Sequence, residues 1–280
     1  MDNENGQALE IAKEAVKEVA KDAYVDIGRP IAKPTGQLAG LVPRAIKAAL
    51  APVEKWVLQR EYNVAETQKL LEIKLQNITP AFITPPEPHI AVPALQYISY
   101  CMDNEELRDM YANLLANSMN SVVKNGVHPG FVEIIKQLSP DEAKFLKHMK
   151  THTSIPTIGL HYEYEDYKKG FVEIIKEFTN VPELAGCEQK YNGEQYIDNL
   201  VRLGLLVRET GNFFTDKAQY ESLKNDPAFA KYNDAEIAKQ YGFDKCKIVE
   251  HIVRLTVFGE KFCSICLSTA HIVEGDMQLL

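Results

Sequence analysis

Several things are scarce in this chain, and each scarcity excludes something. Cysteine is limited to Cys101, Cys187, Cys246, Cys263 and Cys266 among 280 residues. That is an odd number in a chain too large to need staples, so reduced thiols in a cytoplasmic setting are expected. No window of 18 or more apolar residues occurs, which excludes an ordinary transmembrane helix. The opening Met1–Gly6 lacks a basic n-region and an apolar h-region, so no secretory leader is expected. Positive charge is also short: 31 Lys and Arg stand against 39 Asp and Glu, a formal net charge of −8. A protein built to grip phosphates would carry the opposite balance, although a local basic stripe is still allowed. The sequence contains no GxxxxGK[ST], no GxGxxG after a strand, no HExxH and no GxSxG. No catalytic residue, metal ligand or cofactor is expected on these grounds.

What is present is the composition of a soluble globular protein, 45% apolar and 25% charged, long enough for two domains. Residues 7–23 read as an amphipathic helix with a narrow stripe of small residues, suited to a docked helix or a dimer seam. Residues 24–57 are broken by Gly28, Pro30, Pro34, Gly36, Gly40, Pro43 and Pro52, so short helical pieces are expected there. Within 36–53 the only charges are Arg44 and Lys47. Leu38, Leu41, Ile46 and Leu50, with Trp56 just beyond, make this a candidate membrane or partner segment; a buried small-residue segment is the competing reading.

A helix is predicted over 63–78, capped by Asn63 with Glu66 completing a capping box. Residues 79–93 hold five of the fourteen prolines and read as an extended connector. Pro93 is expected to open a short helix. Asp103 is expected to cap a longer one, with Glu106 three residues on and Asp103, Glu105 and Glu106 favoured by the helix dipole. Leu107, Met110, Tyr111, Leu114, Leu115 and Met119 form its buried face. Arg108, Asn113 and Asn117 recur at helical spacing on the other side and are the candidate interaction surface. A short helix follows within 127–138.

From Ser139 the pattern changes. Ser139-Pro140-Asp141-Glu142 is a strong helix start. Residues 155–164 alternate as a strand. The heptapeptide GFVEIIK occurs twice, at 130–136 and 170–176, and both copies are read as helical. A helix over 193–205 is stopped by Gly204 in a left-handed conformation. Leu205–Arg208 starts a strand for which Phe213 and Phe214 would supply the return. A capped helix over 233–241, a strand over 247–257 and a final helix ending near Cys266 complete the chain. His148 and His152 have metal-ligand spacing but no evident third ligand, so exposed helix-end histidines are the preferred reading. Cys263 and Cys266 form a single CxxC without a second pair and read as small buried residues.

The expected fold class is therefore mainly α with a minor β part: an N-terminal helical domain over 1–138, then a winged-helix-like α+β domain over 139–270 with an insertion, then a tail over 271–280. The winged-helix reading rests on the SPDE helix start, YIDNLVRLGLL and LTVFGEKF in that order. Its candidate recognition helix offers Glu194 and Asp198 against only Lys190 and Arg202, poor equipment for phosphates.

The block PALQYISYCMDNEELRDMYANLLANSMN with VHPGFVEIIKQLSPDEAKFL closely resembles the Abi-alpha family of bacterial proteins named for abortive infection. YIDNLVRLGLL and LTVFGEKFCSICL resemble that family's C-terminal region. The resemblance implies a role in anti-phage defence and transfers no catalytic residue. Two mechanisms follow as expectations. One is a non-enzymatic effector or sensor acting through a host or phage protein partner, cytoplasmic, as a monomer or homodimer, with peripheral inner-membrane association through 36–53. The other is a winged-helix regulator that binds DNA.

Overall fold

The computed structural model describes residues 61–268 apart from 77 and 210. The helix read at 7–23, the segment with Leu38, Leu41, Ile46, Leu50 and Trp56, and the tail at 271–280 lie outside the described residues. Among the described residues the protein is mainly helical with a minor β part, as its sequence predicts, and the β part is one four-stranded antiparallel sheet. It divides into two compact units: the chain up to Leu138 together with Ser264 onwards, and Ser139–Cys263.

In the first unit the described helices are α1 (Glu61–Leu75), α2 (Pro88–Ile98), α3 (Glu105–Ser118) and α4 (Gly130–Lys136). α1, α2 and α4 all pack on α3, which is buried at every position from Met110 to Ser118. Ala94, Ala112 and Ala116 are buried too, and their small side chains let the helices approach closely. Three boundaries differ from expectation. α1 is already helical at Glu61, so Asn63 lies inside the helix rather than capping it. The cap of α3 is Asn104, whose side chain accepts from the Leu107 N–H at 3.0 Å; it replaces Asp103 because the extended residue sits one position later. The proline-rich connector is extended only in part. Pro88, with its preset φ, occupies the first turn of α2. Pro93 then stands inside that helix, where it forfeits one backbone hydrogen bond. Pro80–Phe82 make a 3₁₀ turn, and this stretch is tied down by Thr84 N donating to Met119 O at 2.7 Å and Ser121 N to Phe82 O at 2.8 Å.

The second unit runs α5 (Pro140–Thr151), β1 (Ser154–Glu163), β2 (Phe171–Phe178), α6 (Val181–Leu184), α7 (Gly193–Arg202), β3 (Leu206–Glu209), α8 (Ala218–Lys224), α9 (Pro227–Ala230), α10 (Ala235–Gln240), β4 (Lys245–Leu255) and the start of α11 (Val257–Cys266). The sheet order is β2-β1-β4-β3. α8 to α10 cover one face through Tyr220, Leu223, Phe229 and Ala238, packed on Ile158, Leu160 and Tyr162. Two tyrosines anchor that insertion to backbone: Tyr162 Oη donates to Tyr232 O at 2.7 Å and Tyr220 Oη to His251 O at 3.2 Å. The return strand expected at Phe213 and Phe214 does not form. β3 pairs instead with β4, which satisfies its backbone groups and leaves Phe214 free to pack its ring on the insertion core.

The second GFVEIIK is the clearest correction. Residues 130–136 are the helix α4, while 171–178 are the strand β2. The flanks decide. In α4 the pattern buries Phe131, Val132, Ile134 and Ile135 on one helical face. Before β2, Gly170 sits at φ 81°, ψ −157°, a conformation that turns the chain out of a 3₁₀ turn and into an extended run. Glu177 and Phe178 then extend it along β1.

Gly204 does adopt a left-handed φ of 74° at the end of α7. Beyond β4, Thr256 Oγ1 donates to Gly204 O at 2.6 Å and accepts from Gly259 N at 2.8 Å, capping α11. A Cβ on Gly259 would lie 2.0 Å from the Leu205 carbonyl oxygen, and backbone cannot yield as a side chain can. Gly259→Ala is therefore expected to destabilise the protein by at least about 3 kcal/mol in chemical denaturation.

Candidate functional site

The polar face of α3 was the leading candidate, and its geometry gives it a different role. Asn113 and Asn117 are buried. Asn117 Nδ2 donates to Ile265 O at 2.7 Å and Ser268 O at 2.8 Å. Asn113 Nδ2 donates to Cys266 O at 3.0 Å and Asp109 Oδ2 at 3.1 Å. The last carbonyls of any helix lack partners within it. Here the two amides, one turn apart on α3, supply donors for the end of α11. Asp109 is also paired with Lys74 of α1. Arg108 is partly exposed, and its Nη1 donates to Met102 O at 2.7 Å. The expected partner surface of Arg108, Asn113 and Asn117 is thus corrected: two of its three members are spent inside the fold, because a buried amide must be satisfied internally. The sequence shows polar residues at helical spacing, but it cannot show that the chain's own distant end covers them.

In the second unit, the SPDE start forms the full capping box: Ser139 Oγ accepts from Glu142 N at 3.2 Å, and Glu142 Oε2 from Ser139 N at 2.7 Å. Both acids then reach further. Asp141 accepts from Glu188 N and Gln189 N, each at 2.9 Å, and from Tyr196 Oη at 2.8 Å. Burial alone would raise its carboxyl pKa, but these donors and Lys144 outweigh burial and hold it below the ordinary value. Glu142 Oε1 accepts from Asn199 at 2.7 Å. The box thereby fixes both the loop before α7 and α7 itself.

The densest set of ionisable groups in this unit lies where β2, β3 and α7 meet. Buried Glu177 accepts from Thr157 Oγ1 at 3.2 Å and Arg208 Nε at 2.8 Å. Arg208 also pairs with Asp198, as does Lys176 at 2.9 Å. Lys176 stands 4.0 Å from Glu194. The Lys176 hydrogen bond, then that from Arg208, holds Asp198 low despite some burial. Glu194 is raised, first by burial and then by Asp198, Glu177 and Glu173, with Lys176 opposing. Residues spread from 157 to 208 converge here only through the sheet, so Glu177 and Arg208 carried no local signal in the sequence. Each acid named has a cation or donor beside it. The arrangement ties strands to helix and presents no activated nucleophile.

The remaining sequence candidates are placed as follows. Glu105 and Glu106 lie in the first turn of α3. Cys263 and Cys266 are buried in α11, and burial pushes the Cys263 thiol up to about 12, far from the thiolate that redox chemistry needs. His148 and His152 stack at 4.4 Å between ring centroids, and His152 Nδ1 contacts Thr151 Oγ1 at 2.8 Å. Among the described residues no group of three His, Cys, Asp or Glu could hold a metal ion, and no helix is long and apolar enough to cross a membrane.

A family model described as abortive infection alpha matches residues 59–266. No curated protein matches the chain. Among solved structures, an uncharacterized protein from the hydrocarbon-degrading marine bacterium Alcanivorax borkumensis SK2 is similar at 19% identity, with a TM-score of 0.35, over 49% of this chain and 92% of that one.

Two outcomes follow from this geometry. Asn117→Ala leaves the Ile265 and Ser268 carbonyls without their shared side-chain donor and is expected to cost about 2–3 kcal/mol in urea unfolding; Asn117→Asp, which sets a carboxylate against carbonyl oxygens, is expected to cost at least as much. The second concerns pH. Burial first, and then His152, hold His148 below the ordinary imidazole value, outweighing the helix C-terminus that favours its charged form. A base depressed in the folded state binds fewer protons folded than unfolded, so its contribution is present above the unfolded value and lost as pH falls through it. The melting temperature should drop between about pH 7.5 and about pH 5.5, and His148→Gln should flatten that slope.

Proposed function

The chain belongs to the abortive infection alpha family, and we propose that it serves bacterial anti-phage defence as a non-enzymatic effector or sensor acting through protein contacts. The observation that carries the defence reading is the family match, which spans both compact units. The absence of chemistry in the reading is supported by what the polar groups do. The asparagines of α3 cap a helix end, the acids of SPDE hold a loop, and the ions around α7 hold one another.

The second unit is read as a winged-helix domain carrying two additions. α5, β1, α6, α7, β3 and β4 follow the helix–strand–helix–helix–strand–strand order of that fold, and β1 pairs with β4, which pairs with β3. β2 is added at the outer edge, and α8 to α10 are inserted between the two wing strands. In this reading α7 holds the recognition position. Its Glu194 and Asp198 would face phosphates with like charge, and the adjacent cations Lys176 and Arg208 are already engaged by these acids. That favours protein contact over DNA.

The test is phage challenge of host cells expressing the intact chain, alongside titration of the purified chain against duplex DNA through a salt series. Reduced plating relative to empty vector and no salt-dependent complex are expected. Equal plating across a broad phage panel would overturn the defence reading, and a complex that weakens steeply with salt would replace protein contact by DNA binding.

A further inference from the structure

We propose that the first half of β2, residues 171–174, is a releasable edge: it detaches from β1 as a local unit while residues 175–178 stay pinned. The protein contains its own control, because GFVEIIK is written twice. In α4 those side chains are fully committed: Phe131 is 0% exposed, Val132 1% and Ile134 7%. In β2 the same residues leave Phe171 56% exposed, Val172 47% and Ile174 37%. Identical side chains therefore gain far less from burial in the strand, and burial is the main term that offsets the entropy of ordering them.

The strand's surroundings point the same way. β2 lies at the end of the sheet order, so among the described residues β1 is its one strand partner. Its register with β1 shifts twice, between Ile158 and Leu160 and between Leu160 and His161. On β2 these shifts fall between Glu173 and Ile175 and between Ile175 and Phe178, so the regular ladder of Phe171–Glu173 with Glu163–His161 is cut off from the rest of the strand. Before it, Gly170 gives the chain a flexible joint at positive φ. Besides the ladder pairs of Phe171, Val172 and Glu173 with Glu163, Tyr162 and His161, the first half is held by side chains at a single imidazole: Phe171 stacks on His161 at 4.2 Å, and Glu173 lies 3.6 Å from it.

The second half is anchored differently. Ile175 and Phe178 pack on the insertion core. Lys176 pairs with Asp198, and Glu177 is held by Thr157 and Arg208. The boundary between the releasable and pinned halves falls at Ile174/Ile175, within the stretch from Glu173 to Ile175 that holds the first of the two register shifts. Release opens the backbone of β1 from His161 to Glu163 on the side that β2 had covered.

Hydrogen exchange on the intact protein tests this with little ambiguity, since the two heptapeptides have the same intrinsic amide exchange rates. The amides of 171–174 are expected to be at least about 100-fold less protected than both 131–134 and the central strand β4. β4 is the reference within the same unit, so a difference in stability between the units cannot imitate the result. Glu177→Gln should extend the fast exchange to 175–178. Protection of 171–174 equal to that of β4 would overturn the proposal. So would uniform exchange along all of 171–178 in the unaltered protein, because it would mean that the strand opens as a whole.

Discussion

The constraint on which the first unit depends is that α3 is enclosed on all sides. A helix with one apolar stripe needs one neighbour; a helix buried from Met110 through Ser118 needs covering all the way round. Leucine, methionine and alanine satisfy three neighbours by packing. The polar side cannot be satisfied in that way, since a buried amide without partners costs about 1–3 kcal/mol. The chain resolves this by returning from its far end and presenting carbonyls that themselves lack donors. One set of contacts thus satisfies two groups of otherwise unpaired atoms, and it brings residues after Ser264 into the unit that begins the chain.

The second unit follows a similar logic with charge. Its first helix starts at a capping box whose two acids do more than cap. Asp141 and Glu142 fix the loop and helix that follow β2, while Glu177, Asp198, Lys176 and Arg208 connect β2, β3 and α7. Buried or half-buried ions persist where they are paired and hydrogen-bonded. These groups look reactive as a list, and in the fold they hold one another. The family assignment places the chain among the abortive infection alpha proteins.

Much of the fold was legible before the structure. The SPDE box, the left-handed Gly204, the alternation of β1 and β4 and the apolar face of α3 are local signals with local causes, and they stand where they were expected. The candidate site was less legible. Arg108, Asn113 and Asn117 were correctly placed on a helix as a contact surface, but Asn113 and Asn117 are buried, because spacing reports which residues share a face and not what covers it. Glu177 and Arg208 were missed because residues that meet across a sheet share no neighbourhood in sequence.

The heptapeptide GFVEIIK marks the division most sharply. By itself the sequence determined where chain caps, turns and apolar stripes fall, because those depend on a few adjacent residues and on the dihedral preferences of proline, glycine and asparagine. It could not determine whether GFVEIIK is helix or strand, since seven residues favour neither strongly enough to decide. Tertiary structure decided it: a helix where α2 and α3 bury the apolar side chains, a strand where Gly170 turns the chain out along β1 and the insertion core receives Ile175 and Phe178. The same kind of decision set the fate of Asn113 and Asn117. Burial and hydrogen-bond satisfaction are properties of the whole packing, so only the folded chain could assign them.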